Sequence, residues 1–351
     1  MSSYGGDAQP GRAGAPDGAN WPAVSVIVAA TDREQARQAV ADLLAHPYPG
    51  EFEILLAAPA STAHPAKGEP LAELSSDPRV SVVHAKSNSR AALVNAAAFA
   101  ARHPILSQVR PGAGNWSELL KQAAAAMEVT GAEVVGGAAV AFGLGSAEQA
   151  ISRALNSRLG VGPRRSRAGV GKGPVDSVRM VAIRREAFER VGGLDEAFAG
   201  AQDWELQHRV RRAGGMVWLD PSLALRGRTP GSTAELARAM FRVGAWRRKI
   251  MAVHPATSNL RYAVPPALVM TLAVALAGAV AGGLALAGWL WWLAAVPAAY
   301  ALAMAAAAAV AGHGLRLGGR VRMWWAVMVI HLSWGAGFWL GGRRRPRAAT
   351  A

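Results

Sequence analysis

The stretch "AVSVIVAATDREQARQAVADLLAHPYPGEFEILLAA", Ala23 to Ala58, decides the fold class. It opens and closes on β-rich apolar runs, "AVSVIVAA" (Ala23 to Ala30) and "EFEILLAA" (Glu51 to Ala58), suited to strands buried on both faces. Between them, "DREQARQAVADLLAH" sets Ala36, Val40, Leu43 and Leu44 on one helical face. The alternation continues with a strand at "RVSVVHA" (Arg79 to Ala85), a helix at "SRAALVNAAAFAARH", a strand at "HPILSQV" (His103 to Val109) and a helix through "NWSELLKQAAAAMEVTG". Repeated β/α units predict an α/β domain with a mostly parallel sheet and helices on both faces. Such sheets bind ligands at the carboxyl ends of their strands. The segments to inspect are therefore Ala29 to Glu34, Ala57 to Thr62, Ala85 to Arg90 and Gln108 to Gly114.

The 351 residues suffice for one large domain with an appendage, and they contain no cysteine. Disulfides, thiolate metal sites and thiol nucleophiles are therefore excluded. Lys and Arg number 38 against 23 Asp and Glu, a formal charge of +15. A basic balance suits nucleic acid, an anionic membrane face or a phosphate-bearing substrate. The cations gather beside the apolar C-terminal quarter (Arg247 to Lys249, Arg316 to Arg322, Arg343 to Arg345), without any nucleic-acid-binding signature. This favours the membrane and the phosphate over nucleic acid. The first 20 residues, rich in Gly, Ala and Pro with no apolar run, read as a disordered tail (1–21) and not a signal peptide.

Three apolar stretches, about Val264 to Leu286, Trp289 to Ala311 and Met323 to Leu340, each approach the length of a membrane-crossing helix. Tryptophans at 289, 291, 292, 324, 325 and 339 flank them as an interfacial belt would. By the positive-inside rule, "WRRK" (Trp246 to Lys249) and "HGLRLGGRVR" (His313 to Arg322) share the cytoplasmic side. A third crossing would then carry "RRRPR" (Arg343 to Arg347) outside, against the rule. The third stretch is thus either a re-entrant or interfacial helix, or a crossing that overrules its basic tail. The division expected is a domain over 22–250, a membrane domain of two to three helices over 251–342 and a basic tail over 343–351.

Several segments together carry a family resemblance: "VSVIVAATDRE", "DPRVSVVHAKSNSRAALVNAA", "AISRALNSRLGVG", "GPVDSV", "RREAFERVGGLDEAF", "QDWELQHRVRRAGG", "FRVGAWRRKI" and "HLSWGAGFWLGG". In this order and spacing they resemble the family 2 inverting glycosyltransferases, in the membrane-anchored, ExoA-like branch of succinoglycan biosynthesis. The resemblance runs from about Pro22 to Gly342. It implies a GT-A fold that binds a nucleotide sugar, a C-terminal anchor in the plasma membrane with the N-terminal domain cytoplasmic, and a lipid-linked or polysaccharide acceptor in cell-envelope glycan assembly.

Inverting transfer needs a base for the acceptor hydroxyl and stabilisation of the departing nucleotide diphosphate. The resemblance assigns the base to Asp203, preceded by Gln202. Local pattern alone offers a plainer role, the N-cap of a helix bearing Leu206, Val210 and a Glu205–Arg209 pair. The resemblance also implies donor contacts from Asp32 and Glu34, for which a helix start is the alternative. It implies an acceptor-side position for Asp176, for which a turn aspartate is the alternative. Trp204 and Trp246 suit either an acceptor platform or the packing of the "FRVGAWRRK" helix on a membrane surface. His331 matches "HLxWG" and is assigned packing.

The donor half departs from the family's pattern. Ala58 stands where an aspartate usually reads the nucleotide base, and Ala29 replaces a proline after the first strand. Arg110 and Gly112 replace the metal ligands after the fourth strand, and neither can hold magnesium or manganese, which need hard oxygen donors. No metal is therefore expected. Arg110 carries a fixed charge where the metal would sit, and guanidinium forks onto phosphate. Arg90 and Lys86 add charge nearby. Two readings stay open: a cation-free, arginine-assisted transferase, and a catalytically inactive relative that binds or scaffolds partners in glycan assembly.

Overall fold

The computed structural model describes residues 21–29, 33–45, 48–60, 76–109, 116–160, 171–198, 200–284 and 288–341. The strands and helices expected from the opening alternation form, each within a few residues of its predicted bounds. They are β1 (Val24–Ala29), α1 (Arg33–Ala45), β2 (Phe52–Pro59), β3 (Val80–Ala85), α2 (Arg90–Ala100), β4 (Ile105–Val109) and α3 (Trp116–Thr130). Then come β5 (Val134–Gly137), β6 (Ala139–Phe142), α4 (Ser146–Asn156), β7 (Gly173–Pro174), β8 (Arg179–Arg184) and α5 (Arg185–Arg190). The domain closes with α6 (Gln202–Arg212), β9 (Val217–Leu219), β10 (Leu225–Arg228) and α7 (Thr233–Val253).

Eight strands form one sheet in the order β3-β2-β1-β4-β8-β5-β9-β7. β3, β2, β1 and β4 run parallel, as expected, while β8 lies antiparallel between β4 and β5. The sheet is therefore mixed beyond β4. β6 and β10 pair separately. The chain builds outward from β1 to β2 and β3, then returns to the other side of β1 as β4. This reversal opens a crevice at the carboxyl ends of β1 and β4, where open α/β sheets hold ligands.

Each face of the sheet has its own core. On one face Ala36, Val40 and Leu43 of α1 and Leu120, Ala124 and Met127 of α3 cover Val26, Val28, Ile54 and Leu56. On the other, Leu93, Val94 and Ala97 of α2 and Leu206 and Val210 of α6 cover Ile27, Leu55, Ala57 and Leu106. Successive strand residues serve opposite helices, so both faces of β1 and β2 are buried. That is why these strands read as unbroken apolar runs.

The C-terminal helices are α8 (Leu260–Gly283), α9 (Ala295–Ala311) and α10 (Leu317–Leu340), and a third cluster joins Ala150, Ile151 and Ala154 of α4 and Leu236 of α7 to α9 and α10. A 3-10 turn (Gly288–Ala294) carrying exposed Trp289, Trp291 and Trp292 links α8 to α9. Tyr262–Gly283, Gly288–Ala311 and Leu317–Leu340 are long and apolar enough to cross a membrane. They bury unequal shares of their apolar windows in the protein: 17%, 6% and 39%.

Candidate functional site

Asp203 lies in the first turn of α6, and its carboxylate meets Arg90 at the start of α2. Both terminal nitrogens of Arg90 donate to Asp203 Oδ1, at 3.2 and 3.1 Å. Nη1 also donates to Gln202 Oε1 at 3.0 Å, and Nη2 to Gln108 Oε1, near the end of β4, at 2.5 Å. One guanidinium therefore ties α2, α6 and the carboxyl end of β4 together at the crevice.

Local structure sets each partner. Ser89 caps α2, its hydroxyl accepting from Ala92 N at 3.1 Å, and so aims Arg90 off the first turn. The turn before α6 is clamped from both sides. Asn95 of α2 exchanges two hydrogen bonds with the Leu194 backbone, both 2.8 Å. Arg209 of α6 donates to the carbonyls of Val191 and Gly193 while gripping buried Glu205 with two 2.7 Å bonds. Gly193 holds a left-handed φ of 74° with Asn95 close against it, so both conformation and space require glycine there.

The N-cap expectation for Asp203 is corrected. The cap position belongs to Ala201, held left-handed at φ 60° with no side-chain cap, and Asp203 is the second helical residue. The helix thus starts two residues earlier than a cap at Asp203 would allow, which leaves the Asp203 side chain uncommitted to capping and paired with Arg90. A non-glycine residue in the left-handed region costs about 1–2 kcal/mol, strain located next to the candidate site.

A residue that the sequence did not single out joins the group. The segment leading into β8 runs antiparallel along α6: Asp176 pairs with Arg211 at 3.6 Å, Val178 exchanges backbone bonds with the Gln207 side chain, and Arg179, the first residue of β8, follows within electrostatic reach of Asp203. Arg179 keeps open surface, yet the protein around it lowers its pKa below the ordinary arginine value. Desolvation is the largest cause; Asp203 pulls the value back up and Arg90 pushes it down. Arginine stays charged at neutral pH regardless. Arg90, Arg179 and Asp203 thus share one electrostatic environment with two cations to one carboxylate. Arg179 directly follows "GPVDSV", and its register opposite Gly137, at the end of the β5–β8 pairing, was not legible in that motif.

The other candidates are distributed differently. Glu34 is exposed and paired with Arg37 one turn on, at 2.8 Å. Asp176, 66% exposed, sits two helical turns from Asp203. Trp204 stacks on His208 with 5.5 Å between centroids and an angle of 4°, and the Arg247 guanidinium of α7 also lies over its ring at 4.6 Å. Burial lowers the His208 pKa, as do His254, Arg211 and Arg212, against Glu205. Trp246 faces Phe198 and Lys249. Ala58 is fully buried in β2, and His331 bonds Tyr300 and the Leu159 carbonyl. Asp32, Arg110 and Gly112 lie outside the described residues, as do the tail before residue 21 and the basic run after 341.

Among the described residues no three histidines or carboxylates converge on a point that could hold a metal ion. Among the described residues near the end of β4 the converging groups are Gln108, Arg90, Arg179 and the Asp203 carboxylate, a set with an excess of positive charge that suits a phosphate. A cavity of about 550 Å³ lies elsewhere, between α7 and α10, lined by Arg238, Phe241, Arg242, Leu332 and Ala336 among others.

With this geometry the chain was compared with known proteins. The mannosyltransferase PcManGT from Pyrobaculum calidifontis, solved with GDP-Man and Mn2+, superposes over 90% of this chain and 86% of its own, with a TM-score of 0.53 at 18% identity. The fold is of the GT-A type. TarS of S. aureus (1–349, with UDP) aligns over 63% of this chain and 64% of its own, with a TM-score of 0.41 at 17% identity. In sequence, this GT-A chain is 33% identical over 225 residues to the succinoglycan biosynthesis protein ExoA of Rhizobium meliloti, covering 62% of the chain. It spans 64% of that relative's length. No protein-family model matches.

Proposed function

We propose that the chain is a family 2-type inverting glycosyltransferase. It would move a sugar from a nucleotide diphosphate to a lipid-linked or polysaccharide acceptor in cell-envelope glycan synthesis. One observation carries the reading: a carboxylate and two arginines meet where the strand order of a GT-A sheet reverses. The similarity to a succinoglycan biosynthesis protein supports it.

In this scheme Asp203 accepts the acceptor hydroxyl's proton while the hydroxyl oxygen bonds to the anomeric carbon from the face opposite the leaving group. The bond from that carbon to the diphosphate breaks, and its electron pair departs with the nucleotide. Arg90, Arg179 and Arg110 take up the released charge, which removes the requirement for magnesium or manganese. Arg90 also holds the Asp203 carboxylate in place through its Oδ1. Gln202 positions Arg90, and Trp204 backs the acceptor side. Asp32 and Glu34 are assigned to the nucleotide and Asp176 to the acceptor approach. The N-terminal domain faces the cytoplasm from a membrane-anchored position.

The test is nucleotide-sugar binding and transfer in detergent, with and without magnesium or manganese. Donor binding should need no metal. Arg179→Ala should weaken it about tenfold or more, the scale of one charge-assisted contact. Asp203→Asn should abolish transfer with donor affinity nearly unchanged. Absence of nucleotide binding under every condition would replace this reading with the catalytically inactive, partner-binding one.

A further inference from the structure

We propose that α10 does not cross the bilayer: it lies in the membrane surface, between the sheet domain and the feet of a two-helix hairpin formed by α8 and α9. Three sets of contacts carry this.

First, α10 is tied to the sheet domain along its length. Near its start Arg322 donates to Ser146 Oγ at the head of α4, at 2.8 Å. Mid-way, a His331 ring nitrogen bonds the Leu159 carbonyl just beyond α4, at 2.6 Å. At its end the Phe338 and Trp339 carbonyls accept from Arg248 of α7, at 3.3 and 2.9 Å. In between, Met323, Ala326, Val327 and Ile330 share a core with α4 and α7. Gly337 and Gly244 then bring α10 and α7 into backbone contact. From Arg322 to Trp339 the helix rises about 26 Å, close to the whole hydrocarbon thickness. Were α10 a crossing, α4 and α7 would be drawn into the bilayer with it. α7 carries Arg238, Arg242, Arg247, Arg248 and Lys249, and such side chains are among the most strongly excluded from hydrocarbon.

Second, α8 and α9 meet α10 at separate places, α8 by its first turns and α9 from Tyr300, which bonds His331, to its last turn. α8 uses its first turns, with Trp339 Nε1 donating to Pro266 O at 2.9 Å and Gly335 against Pro265 and Val269. Tyr262, at the head of α8, lies under Arg247 of α7 at 3.7 Å. α9 meets α10 around Trp324, whose Nε1 donates to Ala301 O, and the α9 end is held by Arg153 of α4 through the Ala311 and His313 carbonyls. The turn between α8 and α9, with its exposed tryptophans, lies at the opposite end of the hairpin.

Third, the side of α10 turned from the domain is an apolar stripe. Val321, Trp325, Leu332 and Trp339 share one helical face at spacings of four, seven and seven residues; Val321 and Trp325 are half exposed, Leu332 stands at the open cavity beside α7, and Trp339 is part-covered by the first turns of α8. An apolar stripe bearing tryptophans, backed by a basic helix, suits the boundary between headgroups and acyl chains. Two crossings also leave the basic segment after α10 on the same side as α7, as the positive-inside rule requires.

The absence of cysteine makes the test direct. Single-cysteine variants Ser2→Cys, Gly288→Cys, His313→Cys and Ala349→Cys are labelled with a membrane-impermeant maleimide in spheroplasts, and again after detergent lysis to establish total reactivity. Gly288→Cys should label from one side, and the other three only from the opposite side. Ala349→Cys labelling together with Gly288→Cys would overturn the proposal, as would all four labelling together. Nitroxides at Val321→Cys, Leu332→Cys and Leu340→Cys, read by oxygen and nickel collision in phospholipid vesicles, should report one shared shallow depth. A deep Leu332 position between two shallow ends would equally overturn it.

Discussion

Removing the Glu205 carboxylate should destabilise the protein more than any change at the exposed ion pairs. Glu205 is 1% exposed, and both of its oxygens are bound by Arg209 at 2.7 Å, with His254 Nε2 a further 3.0 Å from Oε1. Glu205→Ala leaves the Arg209 guanidinium without its counter-charge, with its side chain 24% exposed. Breaking a buried pair from one side costs about 3–5 kcal/mol. At about 2–3 °C per kcal/mol for a chain of this size, the melting temperature should fall by roughly 6–15 °C. Arg209→Ala should cost a similar amount, since it strands the carboxylate and frees the carbonyls of Val191 and Gly193. The decisive measurement is the double variant, by thermal unfolding in detergent. The second substitution should add little to the first, because the interaction is already lost, giving a coupling close to one single-variant cost, about 3–5 kcal/mol. Additive losses, or a Glu205→Ala shift below about 2 °C, would refute the view that this pair holds the turn before Asp203.

Glu53 is a second buried carboxylate, and its prediction concerns pH. Burial alone would raise its pKa, but hydrogen bonds from Ser25 and from the backbone and side chain of Arg102 outweigh that and lower it from 4.5. A depressed folded value means the stabilisation is complete above the unfolded pKa and fades as pH falls through the folded one. Glu53→Gln should therefore be less stable than the parent above about pH 5, with the gap closing in more acid solution; a gap of constant size from pH 7 to 3 would refute this. Gly337→Val tests the seam between α7 and α10, where a Cβ at Gly337 would stand 2.0 Å from the Phe241 carbonyl oxygen. It should lower the melting temperature and expose the α7–α10 boundary to protease, and a variant as stable and protease-resistant as the parent would refute the close approach.

Much of the sheet was legible because its strands are simple. Runs such as Val24–Ala29 and Phe52–Pro59 are apolar on both faces, and helix-period segments separate them. The antiparallel β8 was not legible, since its pairing with β4 and β5 rests on contacts far along the chain. At the candidate site the sequence located Asp203, Gln202 and Arg90 individually. It could not show that one guanidinium joins them, because that depends on how Asn95 and Arg209 seat the turn at Leu194. The cap expectation failed for a local reason: Ala201, which carries no turn signal, adopts the left-handed conformation usually left to glycine. Arg179 escaped notice because nothing near it in sequence marks the rim of the crevice. The third apolar stretch has the length of a crossing, and only its contacts with α4 and α7 distinguish the alternatives.

Helix α7 works as a spacer of fixed height. Lys249 bonds the Ala197 carbonyl, six residues before Asp203, while the neighbouring Arg248 holds the end of α10. A single helix, about 10 Å thick, therefore lies between the segment that leads into α6 and the end of α10. Anything reaching the crevice from a lipid would have to span that one gap. Substrates would then be sorted by the length of the tether between their anchor and their reactive end, a selection by reach that needs no contact with the sugar.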